Sequence, residues 1–243
     1  MKKRKTWTII LSVLLVCVVV AGVVNSNLFK IKEVRVTVDN GDGTSVELLK
    51  QLCDIQVGDN ILKVSADKIK KAVEANGRFE NVSVIKKYPD VIAINASMRK
   101  NNAILEIGDN SYIIVDKNGI AIETLTAPYN DEVVVYCGIR ISQYVISQEV
   151  ISKDAHQMGT VKLMMKLFTE LGLDEHIDRV YLGDLSNVYM ISETGKTIRI
   201  ALASEVEEKI RMLAKPECIE FLYSEEEGFV ELYSNCFVIK KSS

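Results

Sequence analysis

Residues 82–96 read VSVIKKYPDVIAINA, and this stretch decides the architecture of the first folded part of the chain. Residues 82–88 and 91–96 are rich in valine and isoleucine, which favours β-strands. Pro89-Asp90 lies between them and favours a turn. Because a connection this short joins antiparallel strands, the sequence predicts a β-hairpin here.

A strand and two short helices are predicted before this hairpin. Residues 31–38 (IKEVRVTV) alternate apolar and polar side chains, as a half-buried strand does. Thr44 with Glu47 has the spacing of a capping box, and Ser65 is suited to begin the second helix. The predicted order is strand, helix, helix, strand, strand, in one domain at residues 28–100.

An apolar segment precedes this domain. Residues 7–24 (WTIILSVLLVCVVVAGVV) carry no charge, and as a helix they span about 27 Å, close to the hydrocarbon thickness of a bilayer. The basic residues 2–5 (KKRK) predict a single transmembrane helix with residues 1–6 in the cytoplasm. A cleaved signal peptide is the alternative, with Val19 and Ala21 as small residues before the cut. The length of the apolar run favours a retained anchor.

Residues 101–243 are expected to form a second, β-rich domain that also contains helices. Residues 112–115 and 120–122 flank the sequence DKNG, and its Asn-Gly pair predicts another hairpin. Further strands are predicted at residues 133–136, 177–182, 188–191 and 198–201. The last strand is predicted as one long apolar run, residues 229–239, which we expect at a sheet edge.

Two amphipathic helices are predicted within this second domain. The first ends at Gly172 and carries apolar residues at helical spacing, namely Val161, Met164, Leu167, Phe168 and Leu171. The second begins with a capping box of Ser204 and Glu207 and carries Val206, Ile210 and Leu213. We interpret both apolar stripes as core-facing.

The residue types needed for catalysis or metal binding do not occur in a recognisable arrangement. The two histidines, His156 and His176, lie 20 positions apart, without an HExxH motif or a cysteine pair nearby. No nucleophile elbow, phosphate-binding loop or dinucleotide fingerprint is present. The sequence therefore predicts neither catalytic residues nor a cofactor nor a metal site, and it disfavours an enzyme of the cell wall.

Four cysteines follow the apolar segment: Cys53, Cys137, Cys218 and Cys236. They could form two disulfides, but each lies in an apolar stretch, so buried free thiols are the favoured interpretation.

The charge of the chain bears on its partners. Without residues 2–5, the chain has 26 basic and 33 acidic side chains, a net charge of −7. A mildly acidic body disfavours nucleic acid as a partner.

These elements together resemble the FtsQ/DivIB family of bacterial cell-division proteins. The strand-helix-helix-strand-strand order outside a membrane helix is that of a POTRA domain. The segments that carry the resemblance are residues 29–36 (FKIKEVRV), residues 58–62 (GDNIL) and residues 82–90 (VSVIKKYPD), with Ile94 and Arg99. In the second domain, Asp116, Gly119 and Gly138 are similar to family positions, as is the sequence Val230-Glu231-Leu232.

The resemblance implies a function. Members are non-enzymatic scaffolds of the divisome that bind FtsL/FtsB-type coiled-coil proteins and help to regulate septal peptidoglycan synthesis. It implies a single-pass protein of the cell membrane at the division septum, with most of the chain extracytoplasmic. The partner-binding residues expected from it are those of the last strand, namely Phe229, Val230, Glu231, Leu232 and Tyr233. The alternative is an extracytoplasmic, wall-associated binding or sensory protein unrelated to division.

Overall fold

The computed structural model describes residues 2–108, 110–127, 133–201 and 205–241, which divide into two units. Unit 1 is Met1–Met98 and unit 2 is Arg99–Ser243. The boundary predicted after residue 100 lies two residues from this division. The predicted α+β class is confirmed, with a small mixed sheet in unit 1 and a large one in unit 2.

Unit 1 contains the predicted succession of strands and helices. Its elements are α1 (Lys2–Val24), a 3-10 turn (Asn27–Phe29), β1 (Glu33–Asp39), α2 (Gly43–Cys53), α3 (Ala66–Glu74), β2 (Phe79–Lys87) and β3 (Val91–Met98). The strand order is β1-β3-β2, and β3 is antiparallel to β2 and parallel to β1. Parallel strands need a long crossover, which α2 and α3 provide.

The start of each short helix is fixed by a side-chain cap. Asp42 caps α2, because its Oδ1 accepts a hydrogen bond of 2.8 Å from the Ser45 amide. The predicted capping box of Thr44 and Glu47 is therefore wrong by two positions. Ser65 caps α3 as predicted, since its Oγ accepts from the Lys68 amide at 3.4 Å.

The first helix, α1, covers the apolar segment of the sequence. Within the described part of the chain, no helix meets the length and hydropathy requirements of a membrane span. The predicted span at residues 7–24 stays a prediction.

Unit 2 is built on a nine-stranded sheet. Its strands are β4 (Ala103–Gly108), β5 (Ser111–Val115), β6 (Ala121–Leu125), β7 (Val135–Cys137), β10 (Ile177–Tyr181), β11 (Asn187–Ser192), β12 (Thr197–Ala201), β13 (Gly228–Leu232) and β14 (Phe237–Lys241). The strand order is β14-β13-β12-β11-β10-β7-β4-β5-β6. Two short strands, β8 (Ile141–Gln143) and β9 (Ile151–Ser152), pair separately. The hairpin predicted around Asn118-Gly119 is confirmed as β5–β6.

Three helices cover one face of this sheet. They are α4 (Ala155–Leu171), α5 (Val206–Leu213) and α6 (Pro216–Tyr223). All three contribute to one buried cluster with alternate residues of the strands, and the predicted apolar stripes of α4 and α5 lie within it. Gly172 ends α4 in the left-handed conformation, as predicted. Ser204, the predicted cap of α5, lies outside the described residues.

The C-terminal strand differs from the prediction. The run predicted as one strand, residues 229–239, is instead two antiparallel strands, β13 and β14, joined by a turn. The Tyr233 amide donates to the Cys236 carbonyl at 2.9 Å, which closes the turn over Ser234 and Asn235. The polar Ser-Asn pair interrupts the apolar run, and asparagine is a common turn residue.

A buried ion pair lies at the beginning of unit 2. Arg99 Nη1 lies 2.6 Å from Asp116 Oδ2, and both side chains are largely buried. The other carboxylate oxygen of Asp116 accepts hydrogen bonds from the amides of Asn118 and Ile120. One carboxylate thus joins the first residue of unit 2 to the β5–β6 turn.

The first prediction concerns the central strand of unit 1. Ile94 on β3 is completely buried among residues of the helices and strands. Replacing it with aspartate (Ile94→Asp) should lower the free energy of unfolding of unit 1 by roughly 3–5 kcal/mol, since it removes apolar contacts and buries a charge. Thermal and urea unfolding of the purified chain, followed by circular dichroism, measures the change.

The control makes the same substitution on the neighbouring strand. Ile85 lies on β2 and pairs with Ala93 of β3, but its side chain is 47% exposed. Ile85→Asp should change stability by less than about 1 kcal/mol. Equal unfolding of both variants would contradict the assignment of the two sheet faces.

Candidate functional site

The edge of the nine-stranded sheet is the candidate site. The edge strand is β14, and β13 lies inside it, between β14 and β12. The expectation that Phe229 to Tyr233 themselves form the edge is therefore wrong. They lie on or directly after β13, one strand away from it, because the Ser234–Asn235 turn folds the chain back.

The five predicted site residues divide between the two faces of the sheet. Val230 and Leu232 are completely buried in the cluster beneath α5 and α6. Phe229 and Glu231 alternate with them and are half-buried, and Tyr233 is 37% exposed. Since alternate residues of a strand face opposite sides, Phe229 and Glu231 lie on the face away from the helices.

The hydrogen-bond pattern of the hairpin determines which backbone groups of β14 are available. Tyr233 and Cys236 form the hydrogen-bonded pair next to the turn. In an antiparallel ladder such pairs alternate with non-bonded ones, so Val238 and Lys240 direct their backbone groups toward β13. The backbone groups of Phe237, Ile239 and Lys241 then point to the outer side. No strand in the described part of unit 2 pairs with that side.

An ion pair holds the two strands together on the helix-free face. Lys240 Nζ on β14 is bonded to Glu231 Oε2 on β13. This contact lowers the pKa of the Glu231 carboxyl, and a hydrogen bond with the Tyr233 hydroxyl lowers it further. The same contacts raise the pKa of the Lys240 ammonium and of the Tyr233 phenol. The charged forms of Glu231 and Lys240 are thus the favoured ones.

Aromatic and cationic side chains alternate on the same face. The Phe229 ring has the Arg199 guanidinium 4.9 Å and the Lys240 ammonium 5.5 Å from its centroid. The rings of Tyr181 and Tyr189 stack on neighbouring strands at 4.4 Å. Aromatic residues and arginine are the types most enriched at protein interfaces.

A lysine and a threonine on the β11–β12 turn fix the end of α6. Lys196 Nζ donates to the carbonyls of Phe221 and Ser224, at 2.5 and 2.7 Å. Thr194 Oγ1 donates to the Leu222 carbonyl at 2.5 Å. These bonds satisfy carbonyls that have no partner within the helix. They hold Phe221 and Leu222 of α6 in the same buried cluster as β13.

Sequence reasoning missed α6 altogether. Pro216 stands at its first turn, a frequent position for proline, and would have been the available signal.

The cysteines are placed mostly as predicted. Burial raises the pKa of the thiols of Cys53 to about 11 and of Cys137 and Cys218 to about 12, so these groups are neutral and poor nucleophiles. Cys236 is free and exposed, which corrects the expectation of burial, because it ends the β13–β14 turn. Among the described residues, no group of three His, Cys, Asp or Glu side chains is arranged to hold a metal ion.

The second prediction concerns the Glu231–Lys240 pair. Because the pKa of Glu231 is lowered in the folded state, its contribution to stability is present above the unfolded pKa of about 4.3 and is lost as the pH falls further. Glu231→Gln should lower the unfolding midpoint of unit 2 at pH 7 by roughly 2 °C and reduce the acid-side pH dependence. Thermal unfolding at pH 7 and pH 3.5 measures both effects.

The matched control is the second ion pair between β14 and an acidic residue. Lys241 pairs with Glu226 at 2.8 Å, but the Glu226 side chain is 53% exposed, against 17% for Glu231. Glu226→Gln should leave the midpoint and its pH dependence nearly unchanged. Equal effects of the two substitutions would refute a special role for Glu231.

Comparison with protein families identifies unit 1. The model of the POTRA domain, FtsQ-type, matches residues 29–96. The match begins in the 3-10 turn and ends within β3, and so includes both helices and all three strands of the small sheet. No curated protein matches the chain. Unit 1 therefore contains a POTRA domain of FtsQ type, which supports the resemblance of the chain to the FtsQ/DivIB family of bacterial cell-division proteins.

Proposed function

We propose that this protein is a non-enzymatic divisome scaffold that binds FtsL/FtsB-type coiled-coil proteins at the septum and helps to regulate septal peptidoglycan synthesis. The observation that carries the proposal is the FtsQ-type POTRA domain at residues 29–96, which indicates a division-related scaffold role. The partners and the septal site go beyond that observation. They rest on the family and on the surface chemistry of unit 2.

The partner would bind along the outer side of β14. The outward backbone groups of Phe237, Ile239 and Lys241 offer donors and acceptors to a strand from another chain. In such strand addition the backbone supplies affinity and the alternating side chains supply selectivity. The added strand would extend the nine-stranded sheet by one.

Lysines often protect an edge strand from unwanted pairing, and β14 ends in two of them. Here Lys240 is engaged by Glu231 on β13, and Lys241 by Glu226, which lies two residues before β13. Their charges are thereby compensated within the protein, which reduces the electrostatic barrier to an incoming strand.

Phe229, Glu231 and Tyr233 have a supporting role in this proposal. They form the helix-free face directly behind the edge, beside Lys240 and the exposed Val238. A partner segment that continues past its added strand would lie across this face. The aromatic rings of Phe229 and Tyr233 would then supply apolar contact area. Val230 and Leu232 instead hold β13 in the core and act only through the position of the strand.

The third prediction tests strand addition directly. Ile239→Pro removes an outward amide without removing a hydrogen bond to β13, and proline is tolerated at such edge positions. Binding of the purified chain to the coiled-coil partners should weaken at least about tenfold, the equivalent of 1.4 kcal/mol. A pull-down with titrated partner measures the loss.

Ile239→Val is the matched control, because it keeps the amide and most of the apolar side chain. It should bind as the unchanged protein does, and circular dichroism should show both variants folded. A folded Ile239→Pro variant with full binding would exclude this edge. In dividing cells, a fluorescent fusion of the unchanged protein should concentrate at the septum, and uniform membrane fluorescence would count against the division role.

A membrane anchor is the second part of the proposal, with residues 7–24 spanning the bilayer. Two observations support it. The apolar side chains of α1 are exposed along consecutive positions, including Leu14, Leu15 and Val16, so they face every side of the helix. A helix that is apolar all round is suited to lipid rather than to water. The basic residues 2–5 favour a cytoplasmic N-terminus, with residues 30–243 outside.

The fourth prediction is the orientation of the chain. Protease added to cells stripped of their wall should digest residues 30–243 and spare an epitope attached before residue 2. Immunoblotting against both ends reads out the result. The reverse pattern, with a protected body and a digested N-terminal epitope, would contradict the proposed orientation.

A further inference from the structure

The end of α1 is joined to a loop of the POTRA domain by hydrogen bonds. Asn60 Nδ2 donates to the Val24 carbonyl at 2.7 Å, and Lys63 Nζ donates to Asn25 Oδ1 at 3.2 Å. The domain therefore does not merely follow α1 through a free linker. A defined loop, residues 56–63, lies against the point where the helix ends.

This loop is also bonded to the segment that follows α1. The Ile31 amide donates to the Asp59 carbonyl, the Gly58 amide donates to the Ile31 carbonyl, and the Ile61 amide donates to the Phe29 carbonyl. These bonds measure 2.8 to 2.9 Å. Residues 28–31 and 56–63 are thus one connected surface, which we call the collar.

The collar exposes large apolar side chains. Leu28 is 55% exposed, Val57 68% and Leu62 37%. Scattered exposed apolar residues are ordinary, but these three belong to backbone segments bonded to each other and to the end of an apolar helix. In the described part of unit 1, all three side chains remain more than one-third exposed.

The charge of the collar differs in sign from that of the chain outside residues 2–5. It contains Lys30 and Lys63 against Asp59, a net charge of +1, while the chain as a whole, collar included, carries −7 when residues 2–5 are left out. Asp59 Oδ2 accepts a hydrogen bond from the Gln56 amide within the loop. Apolar side chains combined with lysines are the features of surfaces that lie in the headgroup region of a bilayer.

Distance allows this contact. Leu62 follows Asn60 by two residues, at most about 7 Å of extended chain. The headgroup region on each side of a bilayer is about 5–8 Å deep. If α1 ends at the boundary of the hydrocarbon, the collar lies within this layer.

We propose that the collar is a membrane-contact surface that inserts Leu28, Val57 and Leu62 among the lipid headgroups, with Lys30 and Lys63 favouring anionic lipids. The proposal rests on the proposed anchoring of the chain by α1. It adds that the POTRA domain is docked on the bilayer surface rather than held above it on a flexible tether. Its partner is the bilayer around the anchor.

The test uses the full chain in vesicles and a single tryptophan as the probe. Trp7 is the only native tryptophan, so Trp7→Phe gives a background for Val57→Trp. In vesicles of phosphatidylglycerol and phosphatidylcholine, the new tryptophan should show a blue-shifted emission. Lipids brominated near the headgroup should quench most of that emission.

Thr37→Trp in the same background is the control. Thr37 is exposed on β1, and at 3.3 Å per residue it lies about 23 Å along the chain from Lys30. Its emission should remain water-like and unquenched. Lys30→Gln with Lys63→Gln should reduce the quenching of Val57→Trp to the level seen in vesicles of phosphatidylcholine alone.

Flotation of the vesicles separates this proposal from the anchor itself. If the protein floats but Val57→Trp is no more quenched than Thr37→Trp, the collar does not contact lipid, and the anchor stands. If the protein does not float, both proposals are wrong. Quenching that is equal in both kinds of vesicle would support the apolar contact and overturn the role of the two lysines.

Discussion

The carboxylate of Asp116, near the beginning of unit 2, is almost completely buried. Its hydrogen bonds and its ion pair compensate for the lost contact with water. One oxygen binds the Arg99 guanidinium, and the other accepts the amides of Asn118 and Ile120. Removing one partner of a buried ion pair typically costs about 3–5 kcal/mol, because the remaining charge stays buried without compensation. The β5–β6 turn and the first residue of the unit are thus fixed by a single group.

The candidate site lies at the opposite end of the same nine-stranded sheet. Three helices cover one face, so the strands must place every second residue in the core. Val230 and Leu232 meet this requirement on β13, and the residues between them are thereby directed to the helix-free face. The edge strand, β14, at which we propose that a partner binds, is the strand next to β13. Its position depends on the core, while no described strand of unit 2 pairs with its outer side.

The local patterns of the sequence were sufficient to predict unit 1. Period-two alternation located β1, the runs rich in valine and isoleucine located β2 and β3, and the turn residues located their connections. In unit 2 the Asn-Gly hairpin and the stripe of α4 were equally visible. The β13–β14 turn was not, because it lacks glycine and proline and the residues on both sides are apolar. An apolar run with only the short interruption of Ser234-Asn235 does not reveal whether one strand or two occupy it, since pairing is decided by distant residues.

The positions of β13 and β14 show why the sequence could assign some residues to the candidate site and not others. Family resemblance identified Phe229 to Tyr233, and the structure places them one strand inside the edge. The residue type of Ile239 does not indicate that its backbone groups point to the outer side of the sheet. Backbone availability depends on hydrogen-bond register, and register is a property of the assembled sheet.

The parallel pairing of β1 with β3 has a consequence for the newly made chain. Glu33 pairs with Val91, so β1 is synthesised 58 positions (91 minus 33) before its partner strand. At 5–20 residues per second this interval lasts about 3–12 s. During that time the strand has no sheet to join and is open to association with other chains. Glu33 and Arg35, which form an ion pair on β1 in the folded protein, place two exposed charged side chains on this strand, a feature that disfavours association of unpaired strands.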